Sequence, residues 1–175
     1  EVQIRSAREY QYFQSDSARV WFLKLIDAPE PYRTQAYTGL VQLSSSIGKY
    51  GEGFSIVPNV TSTPDSLSVD WLEAVWRLYT EAHATCRIPS FADYLQSKVQ
   101  FYYDSLLNEM ERQAPYNNHI RLRRNFLRAS DANDLEGALA NNDSIMALFP
   151  IWSHRYAIEA YSRSTLYERM GRQRE

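Results

Sequence analysis

The chain is short of the residues that most often carry chemistry. Among its 175 residues there is one cysteine, Cys86, and three histidines. A single cysteine excludes an internal disulfide framework, and nothing then indicates an oxidising compartment. Lysine is also scarce, at three against sixteen arginines. No apolar run approaches the roughly 18 residues of a transmembrane helix, and no charged start followed by an apolar core suggests a signal peptide. The net charge of −2 rules out a strongly basic nucleoprotein, and 44% hydrophobic residues rule out a disordered chain. An intracellular, cytoplasmic setting is the expectation.

What the sequence has in excess is contact-forming side chains. Aromatics make up 14% of it, with 13 tyrosines and 4 tryptophans. Tyr, Trp and Arg are the residues enriched at protein interfaces. The length suits one domain with a sizeable core, so residues 1–175 are read as a single unit.

Helical periodicity dominates. Ser6 with Glu9 resembles a capping box, and Tyr10, Phe13, Ser17, Trp21 and Leu25 predict a first helix to about Asp27. The segment Ala28-Pro29-Glu30-Pro31 interrupts it, and Tyr32, Ala36, Leu40, Leu43 and Ile47 predict a second helix that Gly48 closes. Residues 48–68, rich in Gly, Pro and hydroxyl side chains, read as one long loop with a strand-like piece at Phe54–Val57. A third helix runs from Val69 to Cys86 behind Ser68. A fourth, the longest, runs from Phe91 to Arg112 and should lead the core. Beyond it a helix carrying His119–Arg128 is expected, then a short one that Asp131 caps and Asn141–Ser144 breaks, then a last one from Pro150 to about Met170. No fixed-period repeat is visible, which argues against a solenoid.

Catalytic and cofactor signatures are absent. The glycines of Gly48-Lys49-Tyr50-Gly51-Glu52-Gly53 lack the spacing and the strand–helix context of a phosphate loop. His83 and Cys86 stand three apart, but zinc needs three or four such ligands. The acidic pairs Asp70 with Glu73 and Glu109 with Glu111 read as helix-end charges rather than paired catalytic carboxylates. Two glycosylation-type triplets begin at Asn59 and Asn142, at chance frequency. No catalytic residue, metal ligand or cofactor is therefore assigned.

The arginines carry the remaining signal. At about 100° per residue, Arg121, Arg124 and Arg128 share one helix face, suited to phosphates or to an acidic partner. Arg123 instead falls on the apolar side, between Phe126 and Leu127. A buried arginine needs a partner, since an unpaired one costs several kcal/mol. Glu159 on the last helix is the proposed protein partner, although a bound phosphate would serve as well. Glu159 also precedes Arg163 by four, the favourable order for a helical ion pair. Ile151, Ile158 and Tyr161 occupy another face of that helix, which therefore reads as two-sided. Residues 112–175 hold ten arginines against seven acids, a net of +3, while residues 1–111 carry −5.

These readings lead to a mainly α, single-domain irregular bundle of six to seven helices with one long loop. The functional expectation is a non-catalytic subunit of a protein assembly, self-associating or bound to a protein partner. The alternative is an RNA- or single-stranded-DNA-binding subunit of coat or nucleocapsid type, which would place it in a virion, and the third reading is an enzyme of unknown reaction.

Overall fold

The computed structural model describes residues 2–11, 14–60 and 68–172. Among them lie nine α-helices and no strand: α1 (Val2–Tyr10), α2 (Ser15–Leu23), α3 (Tyr32–Ser46), α4 (Tyr50–Ile56), α5 (Val69–Thr85), α6 (Pro89–Gln113), α7 (Asn118–Asp131), α8 (Leu135–Met146) and α9 (His154–Arg169). The chain divides into two compact units, 1–109 and 110–175. The mainly α class holds, and the helix count exceeds the six to seven expected.

In the first unit, the single helix expected between Ser6 and Asp27 is two. Ser6 lies inside α1 rather than at its start, and Phe13 falls outside the described residues. The division lets α2 fold back onto α1, so that Ile4 and Ala7 meet Ala18, Phe22 and Leu25 in one buried cluster with Ala36, Leu40 and Leu43 of α3. A single straight helix could not bring those apolar side chains together.

The expected loop is corrected over residues 50–59, whereas residues 61–67 of it lie outside the described residues. Residues 50–56 are helical and a 3-10 turn, Val57–Asn59, follows, so the strand-like reading of Phe54–Val57 also fails. Glycine misled because here it serves proximity rather than flexibility. Gly53 is buried against α5, where an added Cβ would stand 2.6 Å from Leu78 Cδ1. Phe54 stacks on Tyr79 at 4.9 Å between ring centres. With Val41, Trp71, Val75, Leu78 and Leu95, Tyr79 builds a second core cluster.

The second unit is a succession of helix hairpins, α8 packing on both α7 and α9. Each start is capped by a side-chain oxygen that accepts an otherwise unsatisfied backbone N–H. Asn117 accepts from Ile120, Asp134 from Gly137 and Ser153 from Tyr156. Asp134, not Asp131, thus caps α8, and α8 continues through Asn141–Ser144 because Asn142 and Ile145 turn inward and are fully buried. Three helices end alike. Gly48, Asn133 and Gly171 take φ of +72°, +55° and +72° after α3, α7 and α9. The next N–H in each case returns 2.8 Å to a carbonyl of the final turn, the left-handed helix stop that favours Gly and Asn.

Candidate protein-interaction site

Arg123 and Glu159 meet inside the second unit. Arg123 Nη1 donates to Glu159 Oε1 at 3.1 Å, and both side chains are nearly excluded from solvent, at 9% and 1% exposure. The other carboxylate oxygen accepts from Asn142 Nδ2, also at 3.1 Å. One residue from each of α7, α8 and α9 therefore forms a buried polar junction, and it ties the three helices in one register. Sequence reasoning found two of its members and missed Asn142, whose neighbours spell a helix break. Its burial also removes the triplet at Asn142 as a glycosylation site, since an acceptor must be accessible.

Arg163 is a correction. Rather than pairing with Glu159, its Nε lies 2.9 Å from Asp143 Oδ1, and its guanidinium sits over the Tyr167 ring at 5.3 Å. The i,i+4 order favours a pair only where no better acceptor intervenes, and Arg123 and Asn142 already hold both oxygens of Glu159.

The outer arginines are engaged within the chain. Arg124 and Arg128 both reach Glu111 Oε2, at 2.9 and 3.1 Å, and Arg121 Nη2 donates to Asn118 Oδ1 at 2.6 Å. Arg124 adds bonds from Nε and Nη2 to the Asn125 amide oxygen at 3.2 and 2.9 Å. Arg124 and Arg128 thus form a surface ion-pair cluster around one shared carboxylate.

The concave feature of interest lies in the first unit, between α2, α3 and α4. It is a cavity of about 250 Å³. Leu23 and Ile26, Leu40 and Leu43, Ile47 and Ile56 supply apolar walls, and Arg19, Glu52, Ser55 and Asn59 line its polar side. Arg19 Nη2 bonds Glu52 Oε2 at 3.2 Å and thereby ties α2 to α4, while Ser55 Oγ donates to the Glu52 carbonyl at 2.7 Å. The volume is under the roughly 300–1,000 Å³ usual for small-molecule sites. It suits one or two apolar side chains, and the polar groups would orient the backbone that carries them.

Titratable groups are perturbed elsewhere. Burial pushes the Tyr79 phenol well above its ordinary value, aided by the neighbouring Tyr102 and Tyr94, and burial with Tyr94 nearby also raises Tyr102. Both line the second core cluster rather than a cleft. Cys86 Sγ contacts the Ile88 carbonyl at 3.5 Å. No group of three or more His, Cys, Asp and Glu side chains comes together among the described residues. No described helix is long and apolar enough to cross a membrane.

A family model described as the SusR N-terminal TPR domain matches residues 5–175. The chain belongs to this family. No curated protein and no solved structure matches it. A tetratricopeptide architecture stacks helix pairs so that neighbours bury a shared core, which accords with the hairpins α1–α2 and α3–α4 and with the succession α7–α8–α9. The sequence reading against a repeat architecture is thereby corrected. The helices range from 7 to 25 residues, so consecutive pairs do not recur at a constant interval and no period survives in the sequence. The chain of this TPR family is a helical protein-interaction module.

Proposed function

We propose that this TPR-family chain acts, as one domain over its whole length, as a non-catalytic subunit of a protein assembly. It receives an apolar side chain of a protein partner between α2, α3 and α4. The cavity carries this reading. It is apolar, concave and side-chain sized, and its polar edge is held by the Arg19–Glu52 bridge. Such a shape is suited to an anchor residue flanked by hydrogen-bonding backbone.

The test is a photo-crosslinking residue at Ile47, a cavity-lining position that is 42% exposed and therefore tolerant of replacement. A discrete adduct with one protein is expected, and it should vanish when Leu23→Glu places a charge in the cavity. A chain that stays monomeric at all concentrations and yields no adduct would overturn the proposal.

A further inference from the structure

Tyr116 and Trp152 are the most exposed aromatic side chains among the described residues, at 92% and 85%. Both stand at one end of the second unit. Tyr116 precedes α7, Trp152 precedes α9, and His119 in the first turn of α7 meets the Phe149 ring edge-on, with ring centres 5.5 Å apart. That contact brings the α6–α7 loop beside the α8–α9 loop. The second of these loops reads Leu148-Phe149-Pro150-Ile151-Trp152, five apolar residues in a row. It is built from turns: the Leu148 and Phe149 N–H groups return to the Ile145 and Met146 carbonyls at 3.0 and 3.1 Å, and the Ser153 N–H returns to the Pro150 carbonyl at 2.9 Å. Ile151 and Trp152 are thus the central pair of a β-turn, positions where Gly, Asn, Asp, Pro and Ser predominate. Ile151 is 72% exposed, so neither side chain contributes much to the packing. The turn alone does not call for them.

Geometry and charge decide what covers this end. Consecutive side chains at a turn tip project in different directions, so a flat protein patch would cover one and leave the other wet. The interfacial layer of a bilayer surrounds whatever enters it, and Trp and Tyr are enriched there because each joins an apolar ring to a polar tip. Charge points the same way. No acidic residue occurs from Gln113 to Ser130 or from Ser144 to Ile158, whereas these stretches hold five arginines. Of the acids folded against them, Glu111 is shared by Arg124 and Arg128, and Glu159 holds Arg123. The exposed Arg121 bonds the neutral amide of Asn118, and the exposed Arg155 follows Trp152 by three residues. Apolar tips rimmed by arginine match a bilayer surface that carries anionic lipid.

We propose that this end of the second unit docks on the surface of an anionic lipid bilayer, with Tyr116, Ile151 and Trp152 seated at headgroup level and Arg121 and Arg155 against lipid phosphates. The contact is interfacial and needs no spanning helix. It uses no residue of the cavity in the first unit, so either reading can fail without the other.

The test is co-sedimentation of the 175-residue chain with vesicles of equal parts phosphatidylcholine and phosphatidylglycerol, set beside vesicles of phosphatidylcholine alone. The chain should pellet with the mixed vesicles and more weakly with the neutral ones. Ile151→Ser with Trp152→Ser should lower the partition constant at least tenfold, and Arg121→Gln with Arg155→Gln should erase the preference for anionic vesicles. Circular dichroism checks that both variants remain folded. Lipid brominated close to the headgroup should quench tryptophan fluorescence in the parent chain, and less so in Trp152→Phe. No pelleting, equal pelleting with both vesicle types, or pelleting that the Ile151 and Trp152 changes leave intact would overturn the proposal. So would equal quenching in the parent and Trp152→Phe, or a photo-crosslinking residue at position 152 that joins a protein rather than lipid in cells.

Discussion

Arg123 and Glu159, 36 positions apart in sequence, close on each other at 3.1 Å in the interior of the second unit. Neither charge has bulk water to fall back on, so removing one strands the other. Arg123→Met, which keeps most of the packing volume, should cost about 3–5 kcal/mol of stability. Arg123→Ala should cost more, because it leaves a cavity as well. Adding Glu159→Gln to Arg123→Met should recover part of the loss. Denaturant unfolding of the two single variants and the double variant measures the coupling, and additive losses would deny it.

Gly39 in α3 lies directly beneath the ring of Phe22 in α2, and a Cβ there would coincide with ring atoms. Both sit in a fully packed region, with Phe22 at 0% exposure. Gly39→Ala gains helix propensity of roughly 1 kcal/mol, but the clash should reverse the sign and leave a net loss of about 1–3 kcal/mol. Phe22→Leu in the Gly39→Ala background should restore part of the lost melting temperature. A Gly39→Ala variant as stable as the parent would show that α2 can move away freely.

Alkaline pH should loosen the first unit. Burial raises the ionisation of Tyr79 and Tyr102 above the ordinary phenol value near 10. The folded state thus holds their protons more tightly than the unfolded state does. Their contribution is whole below about pH 10 and is lost as pH rises above it. Unfolding free energy measured from pH 8 to 11 should fall above about pH 10, and the slope should be shallower in Tyr79→Phe. An unchanged slope would show that this phenol is not protected.

The arginine cluster on α7 should matter little to stability. Arg128 and Glu111 are more than half exposed, whereas Arg124 is 16% exposed. Screened surface pairs contribute at most about 1 kcal/mol. Replacing Arg128 by Gln should be nearly silent, and Arg124→Gln should cost more than Arg121→Gln. Added salt should narrow that difference in thermal melts.

Helical periodicity was legible in the residues themselves, and so were some helix ends. Ser68 accepts from Trp71 at the start of α5, and Gly48 ends α3, because these are contacts between near neighbours, whereas Ser6 falls inside α1 and Asp134 replaces Asp131 as the cap of α8. The anomaly of Arg123 was legible for a similar reason: a guanidinium on an apolar arc requires a partner wherever it lies. That the partner is Glu159, that Asn142 completes the junction and that Asp143 takes Arg163 are decided by how α7, α8 and α9 pack. Sequence spacing carries no distance between helices. Tertiary packing likewise turned the glycine-rich segment after Gly48 into α4, because Gly53 permits an approach to Leu78 that no larger residue allows. It also set which face of α9 was consumed. The pattern showed a helix with two usable faces; packing against α8 buried Glu159 and Leu166 and left Tyr161 outside.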